Sequence, residues 1–328
     1  MNQPLIDNFG RRIDYLRLAV TDRCNLRCRY CMPAQGIPKA PQDEILTWEE
    51  LERLCRVMIS LGVCKVRITG GEPLLRQGLI PFLGRLGCLP SAPEIGITTN
   101  ATLLSRHLHG LRRAGVRRLN ISLDSLREAT FDYIARRPGL GPTLHALNRA
   151  DRLGFDIKIN MVVLAGVNDH EIPDFVQLTR ERRWTVRFIE AMPFNGAGGQ
   201  FGAMLNGDDI LSVLQRRFIL DPVANDEAAV DVCYRVPGYR GKVGIIYGFS
   251  RRFCQGCSRI RISARGELRT CLYGTPVLDA RALLRDGSGD SEIMQALQDA
   301  VNQRSRDGFE SERAGQSKFH HSMATIGG

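Results

Sequence analysis

The chain has 328 residues, 43% hydrophobic and 24% charged, which is enough to bury a sizeable core in one large domain or a domain with a substantial extension. Its 45 basic and 35 acidic residues leave a formal charge of +10, which admits nucleic acid, anionic lipid or a phosphorylated small molecule as partner, or simply a solvated basic surface. The opening residues lack a signal-like apolar run and no stretch approaches the roughly 20 apolar residues of a membrane span, so a cytoplasmic chain with reduced thiols and no membrane partner is expected.

Residues 15–20 (YLRLAV) read as a strand, with Leu16, Leu18 and Val20 opposing Tyr15, Arg17 and Ala19. Directly after it, TDRCNLRCRYCMP places Cys24, Cys28 and Cys31 within eight residues. TWEELERLCRVMISLG reads as a helix opened by a Thr47/Glu50 capping box and ended at Gly62. A strand at 65–69 (KVRIT) opposes Val66 and Ile68 to Arg67 and Thr69, then runs into TGGEP. At 94–98, Ile95 and Ile97 oppose Gly96 and Thr98; at 118–123, Leu119, Ile121 and Leu123 oppose Asn120 and Ser122. TLHALNRADRLG is helical, 156–163 opposes Ile157, Ile159 and Met161 to Lys158 and Asn160, and a sixth strand is expected at 184–190.

Strands separated by helices mean βαβ units and a parallel sheet. An ordinary parallel sheet is apolar on both faces, yet here one face is apolar and the other polar in strand after strand. Helices must cover the apolar face, and the polar face then lines a barrel whose interior is a binding chamber. The intervening helices argue against the alternative, an antiparallel sheet with one face in water. After Met192 the pattern breaks into a glycine-rich loop (MPFNGAGGQFGAMLNG), a short helix (NGDDILSVLQRRF) and a strand (KVGIIYGF). A second cysteine group follows, Cys254, Cys257 and Cys271, and then a mixed region and a polar tail ending SMATIGG. The expected division is 1–195 and 196–328, the second part packing on the barrel.

Of the ten cysteines, Cys55, Cys64, Cys88 and Cys233 are isolated and are expected to be small buried apolar residues. The other six form two groups of three. Soft thiolates select zinc or iron–sulfur clusters. Structural zinc wants four protein ligands, and neither group supplies a complete set, which counts against a zinc-binding nucleic-acid protein. A four-iron cluster held by three cysteines leaves one iron open for something that arrives. The first group sits at the C-terminal end of the first strand, where barrel active sites form.

CNLRCRYC resembles the cluster-binding motif of the radical S-adenosylmethionine enzymes, and TGGEP at 69–73 resembles their glycine-rich motif for the methionine amino group. FCQGCSRIRISARGELRTC resembles the auxiliary-cluster segment of one subfamily, the GTP 3′,8-cyclases of molybdenum cofactor biosynthesis. So do VRITGGEPLLR, ITTNATLL, NISLDSL, VNDHEI, RFIEAMP and the terminal GG; the resemblance covers essentially the whole chain. It implies an α/β fold, an incomplete (βα)6 TIM-type barrel with a C-terminal extension carrying a second cluster. It implies two [4Fe-4S] clusters, on Cys24, Cys28 and Cys31 and on Cys254, Cys257 and Cys271, together with S-adenosylmethionine. In the resembled family a 5′-deoxyadenosyl radical takes hydrogen from C3′ of GTP, and C3′ then attacks C8 of the base.

Arg17, Arg67 and Lys158 are the cations on the polar strand faces, and Arg259 and Arg261 alternate onto one side of CSRIR. By resemblance these five and Thr98 contact GTP. Gly71, Ser122, Met192 and the backbone of Tyr30 contact S-adenosylmethionine, and the tail Gly327–Gly328 reaches the active site. The implied partners are GTP, an electron donor and the next enzyme of the pathway, cyclic pyranopterin monophosphate synthase, with no nucleic acid, the protein being a monomer or homodimer. A radical enzyme acting on a peptide is the rival reading; it would carry more cysteines in the extension. FSRRFC is more basic than the family pattern, and Cys233 stands where a tyrosine is expected. None of the six histidines falls in a ligand-like position, and His320 and His321 are expected to be exposed.

Overall fold

The computed structural model describes residues 4–192, 194, 204–224, 229–315 and 322–327. Six strands pair side by side in chain order, all parallel: β1 (Tyr15–Ala19), β2 (Lys65–Thr69), β3 (Glu94–Thr99), β4 (Arg118–Ser122), β5 (Asp156–Val163) and β6 (Thr185–Glu190). Between them run α1 (Trp48–Ser60), α2 (Leu79–Gly87), α3 (Leu104–Arg113), α4 (Glu128–Ala135), α5 (Leu140–Arg152) and α6 (Ile172–Gln177). The capping box that opens α1 is formed, Glu50 N–H donating to Thr47 Oγ1 at 3.2 Å and Thr47 N–H to Glu50 Oε2 at 2.7 Å.

Register confirms the face reading. Leu16, Val66 and Ile95 align across β1–β3, and Ile97, Leu119 and Ile157 across β3–β5. All are buried, with Leu51, Leu54, Cys55 and Met58 of α1 in the same core. The opposite face carries Arg17, Thr98, Ser122, Asn160 and Arg187, which meet at one cavity instead of a second apolar layer.

The extension contributes α7 (Gly207–Gln215), β7 (Asp221–Val223), β8 (Asp231–Arg235), β9 (Lys242–Ile246), β10 (Arg259–Ile262), β11 (Glu267–Arg269) and β12 (Leu278–Asp279). It ends with α8 (Ala280–Arg285), α9 (Asp290–Asn302), α10 (Gly308–Ala314) and α11 (Met323–Ile326). It does more than pack on the barrel. β9 adds in parallel to β6 and β10 in parallel to β1, and antiparallel hairpins continue outward from each, giving one open sheet ordered β12-β11-β10-β1-β2-β3-β4-β5-β6-β9-β8-β7. The six-strand wall leaves unpaired backbone at β1 and β6, and the extension satisfies both edges. The division expected at 195 falls outside the described residues. Cys55 and Cys233 are buried as expected, whereas Cys64 and Cys88 are exposed. No described helix is long and apolar enough to cross a membrane.

Candidate functional site

A cavity of about 310 Å³ opens on the polar face, with both cysteine groups on its wall. The first group is positioned by two neighbouring βα loops. Gly71 N–H donates to Thr21 O at 2.8 Å and Glu72 N–H to Arg23 O at 2.8 Å, so the glycine loop after β2 grips the cysteine loop after β1. The approach needs glycine: a Cβ on Gly71 would lie 2.4 Å from Arg23 O, and Gly70, at φ +146°, would put one 2.4 Å from Thr21 O. Glu72 then ties β2 to β3, accepting from Thr99 Oγ1 and Asn100 N–H, both at 2.8 Å. Asp124 at the end of β4 accepts from Tyr30 Oη at 2.8 Å and Val162 N–H at 2.9 Å. The VNDHEI stretch closes the far side: Asn168 Nδ2 donates to Asp124 O, and Glu171 accepts from Ser125 Oγ.

Burial pushes the Cys24 thiol up to about 11 and Cys31 up to about 12, and it also raises Cys28. Burial likewise lifts the carboxyl of Glu72 to about 7 and that of Asp124 to about 6. Thiols so placed become thiolates only against a strong positive centre. Among the described residues no three His, Cys, Asp or Glu side chains converge on a single ion. Cys24, Cys28 and Cys31 line one cavity, and three soft thiolates are a donor set that would fit a [4Fe-4S] cluster.

The second group is held from afar. Arg11, near the N-terminus, donates to Cys254 O at 3.0 Å, to Arg306 O at 2.7 Å and to Ser305 O at 2.7 Å. Arg304, its side chain only 4% exposed, lines the cavity with Cys257. Burial would raise that thiol, but Arg304 and Arg259 outweigh it and bring it below its ordinary value. The basic FSRRFC stretch has a structural explanation. Arg251 stacks 3.8 Å over Tyr273 and 4.1 Å over Phe309 and pairs with Glu312, while Arg252 pairs with Asp208.

Between the two groups the wall is cationic. Arg17, Arg259 and Arg261 line it with Thr98, Ser122, Tyr30, Gly71 and Met192. Arg67 and Lys158 lie on the same sheet face but do not reach the cavity wall. Arg67 donates to Tyr15 Oη at 3.0 Å and occupies the space a Cβ on Gly96 would need, 2.2 Å from its Nη1. Arg67 Nη1 and Arg259 Nε have no hydrogen-bond partner among the described residues. Burial, followed by the neighbouring guanidiniums, lowers Arg17 well below its ordinary value and Arg261 to about 10. Burial alone would raise Tyr15, but Arg67, Arg17 and Arg259 bring its phenol down to about 8. Such crowded buried cations favour a polyanionic ligand.

Arg187 also lines the cavity, its Nε 2.9 Å from Asn160 Oδ1. Sequence reading missed it, although strand parity (Val186 and Phe188 inward to the core, Arg187 opposite) carries the signal. Asp231 and Cys233 are a second omission. The Cys233 thiol donates to the Asp231 carboxylate at 3.2 Å; Asp231 is held low by Arg187 and Lys158 despite its burial.

The C-terminal segment enters the same space. Ser322 Oγ donates to Cys31 O at 2.8 Å and Arg261 Nη1 to Gly327 O at 2.6 Å. At φ +74°, a Cβ on Gly327 would lie 3.0 Å from Thr69 Oγ1 and 3.1 Å from Ala19 Cβ. Gly328, His320 and His321 lie outside the described residues, and no described histidine lines the cavity.

Two family models match: the Radical SAM superfamily over residues 18–179 and Molybdenum Cofactor Synthesis C over 184–309. The chain is 44% identical to the GTP 3′,8-cyclase of Geobacter sulfurreducens, covering 99% of both chains. It is 40% identical to molybdenum cofactor biosynthesis protein 1 of Drosophila melanogaster, over 93% of this chain but only 54% of that one, so it spans about half the length of such relatives. Among solved structures it is similar to Streptococcus suis SuiB bound to S-adenosylmethionine, with TM-score 0.59 and 15% identity, covering 86% of this chain and 67% of that one. That likeness concerns the fold.

Proposed function

The chain belongs to the radical S-adenosylmethionine superfamily and, within it, to the GTP 3′,8-cyclases of molybdenum cofactor synthesis, and from that membership we propose how its residues divide the work. The reaction closes a bond between C3′ and C8 of GTP, giving (8S)-3′,8-cyclo-7,8-dihydroguanosine 5′-triphosphate. Bound at Cys24, Cys28 and Cys31, a [4Fe-4S] cluster with S-adenosylmethionine supplies the one-electron chemistry that removes hydrogen from C3′. Gly71, Ser122, Met192 and the Tyr30 backbone hold S-adenosylmethionine beside that group. Arg17, Arg259 and Arg261, backed by Arg67, Lys158 and Thr98, hold the triphosphate. Cys254, Cys257 and Cys271 would hold a second [4Fe-4S] cluster that helps orient the base. Gly327 and Gly328 bring backbone without side chains to the reacting end. Enclosure excludes water and stray C–H bonds from the reacting centre.

The observation that carries this reading is one cavity lined by both three-cysteine groups and by four arginines, half-buried Arg17, Arg259 and Arg261 and buried Arg187. The enzyme draws its electron from a cytoplasmic one-electron donor and passes its product to cyclic pyranopterin monophosphate synthase, acting as a monomer or homodimer. Anaerobic turnover of reconstituted protein with S-adenosylmethionine, a strong reductant and either GTP, ATP or no nucleotide tests the substrate. GTP-dependent 5′-deoxyadenosine with a GTP isomer of equal mass is the expected result. Equal deoxyadenosine without GTP, and no isomer, would overturn the substrate assignment.

A further inference from the structure

The polar face around β1 is a grid of cations with one phenol inside it. Across β10, β1 and β2, Arg261, Arg17 and Arg67 stand in one row, and Arg259, Tyr15 and Lys65 in the row before it. Arg17, Arg259 and Arg261 line the cavity, and so does half-buried Tyr15; Arg67, only 7% exposed, does not. Arg67 lies across β3 at Gly96, where a Cβ would come 2.2 Å from its Nη1 and 2.5 Å from its Cζ. Held there, its Nε donates to Tyr15 Oη at 3.0 Å, while its Nη1 has no hydrogen-bond partner among the described residues. The Arg259 guanidinium lies 5.2 Å from the centroid of the same phenol ring.

A phenol has one proton to give and lone pairs with which to receive. Tyr15 Oη takes the Arg67 bond as an acceptor, so its own O–H remains to donate. Accepting from a cation polarises that O–H and strengthens the bond it donates in turn. A buried guanidinium set behind the wall can thereby act on an anion that it does not touch. A ring that merely filled the space between arginines would need no hydroxyl.

We propose that Tyr15 is a further contact to the triphosphate of the substrate: its hydroxyl donates to a phosphate oxygen and carries the influence of Arg67 to the cavity wall. Arg67 is then a positioning residue that acts through Tyr15, and Gly96 is the place on β3 that leaves room for it. The proposal rests on the reading of this cavity as a GTP site.

The test is calorimetric titration of the holoenzyme, without S-adenosylmethionine or reductant, with GTP, guanosine and inorganic tripolyphosphate in turn. Tyr15→Phe should weaken GTP and tripolyphosphate about 5- to 20-fold and leave guanosine at its parental affinity. Arg67→Met should weaken both anions by a similar factor, yet add little in the Tyr15→Phe background, because its influence passes through the hydroxyl. The proposal is overturned by unchanged tripolyphosphate binding in Tyr15→Phe, by an equal loss for guanosine, or by two losses that multiply in the double variant. Should Tyr15→Phe fail to fold, Arg67→Met decides: it removes the partner and keeps the phenol, so weaker tripolyphosphate binding supports the proposal and unchanged binding overturns it. A parental protein that binds tripolyphosphate but not GTP would overturn the substrate reading, with the role of Tyr15 still read on the inorganic anion. A parental protein that binds neither would overturn both.

Discussion

The two cysteine groups, each proposed to hold a [4Fe-4S] cluster, are held by different means. The first lies on a short loop locked by neutral backbone contacts from the next loop along, Gly71 and Glu72 gripping Thr21 and Arg23. The second is clamped by a charged side chain from the other end of the chain, Arg11 donating to Cys254 O and to the backbone of Ser305 and Arg306. A site built from adjacent βα loops comes with the barrel; a site built from distant chain ends exists only once the whole molecule has closed.

The largest test of that contrast removes one ligand from each group. Cys24→Ala should lose about four irons and all 5′-deoxyadenosine above background. Cys254→Ala should also lose about four irons yet keep deoxyadenosine formation, with cyclised GTP falling on the order of 100-fold because only substrate orientation is lost. Iron assay and product counts check both, and equal loss of deoxyadenosine in the two variants would erase the distinction.

Arg261→Ala probes the cationic wall shared by the two groups. Loss of a charge-assisted contact should weaken GTP binding about 10- to 100-fold by calorimetry, leaving iron content intact. Gly71→Ala tests the backbone lock alone. A Cβ 2.4 Å from Arg23 O forces the cysteine loop outward, with a cost of about 1–3 kcal/mol in thermal unfolding and poorer retention of the first cluster.

A smaller effect should appear with pH. Tyr15 has its phenol lowered to about 8 by the surrounding arginines. Its ionised form is therefore favoured in the empty folded state. The stability it contributes is fully present above its unfolded value of about 10 and fades as pH falls through about 8. A phenolate in the cationic pocket also opposes the triphosphate, so GTP affinity should drop by up to about tenfold per pH unit above pH 8, and Tyr15→Phe should flatten that slope. Smallest of all, Ser322→Ala removes the cap of α11 and the contact to Cys31 O. It should cost about 1 kcal/mol locally and loosen the tail, read as a modest rise in deoxyadenosine formed per cyclised product.

The parallel wall was legible because its alternation is local. Arg17, Lys158, Ser122 and Thr98 could each be assigned a face from their own strand, and the same parity would have yielded Arg187. The second group was legible as spacing but not as a site. Arg11 and Arg304 look like ordinary surface arginines in sequence, since nothing local says that Asp7 is buried between them. Cys64 and Cys88 show the converse error: isolation in sequence suggested burial, but both sit at element ends that face solvent.

By itself the sequence determined the six strands of the wall, their inward faces, the two three-thiolate groups and the glycines that let one loop approach another, because periodicity, spacing and side-chain absence are local properties. Only the tertiary structure decided that the extension joins the sheet at both edges, that Gly327 comes to lie beside Thr69, and that one buried carboxylate, Asp7, is shared by two arginines, one of which reaches Cys254 O. Those outcomes depend on which distant segments meet and on how much charge is left uncancelled where they do.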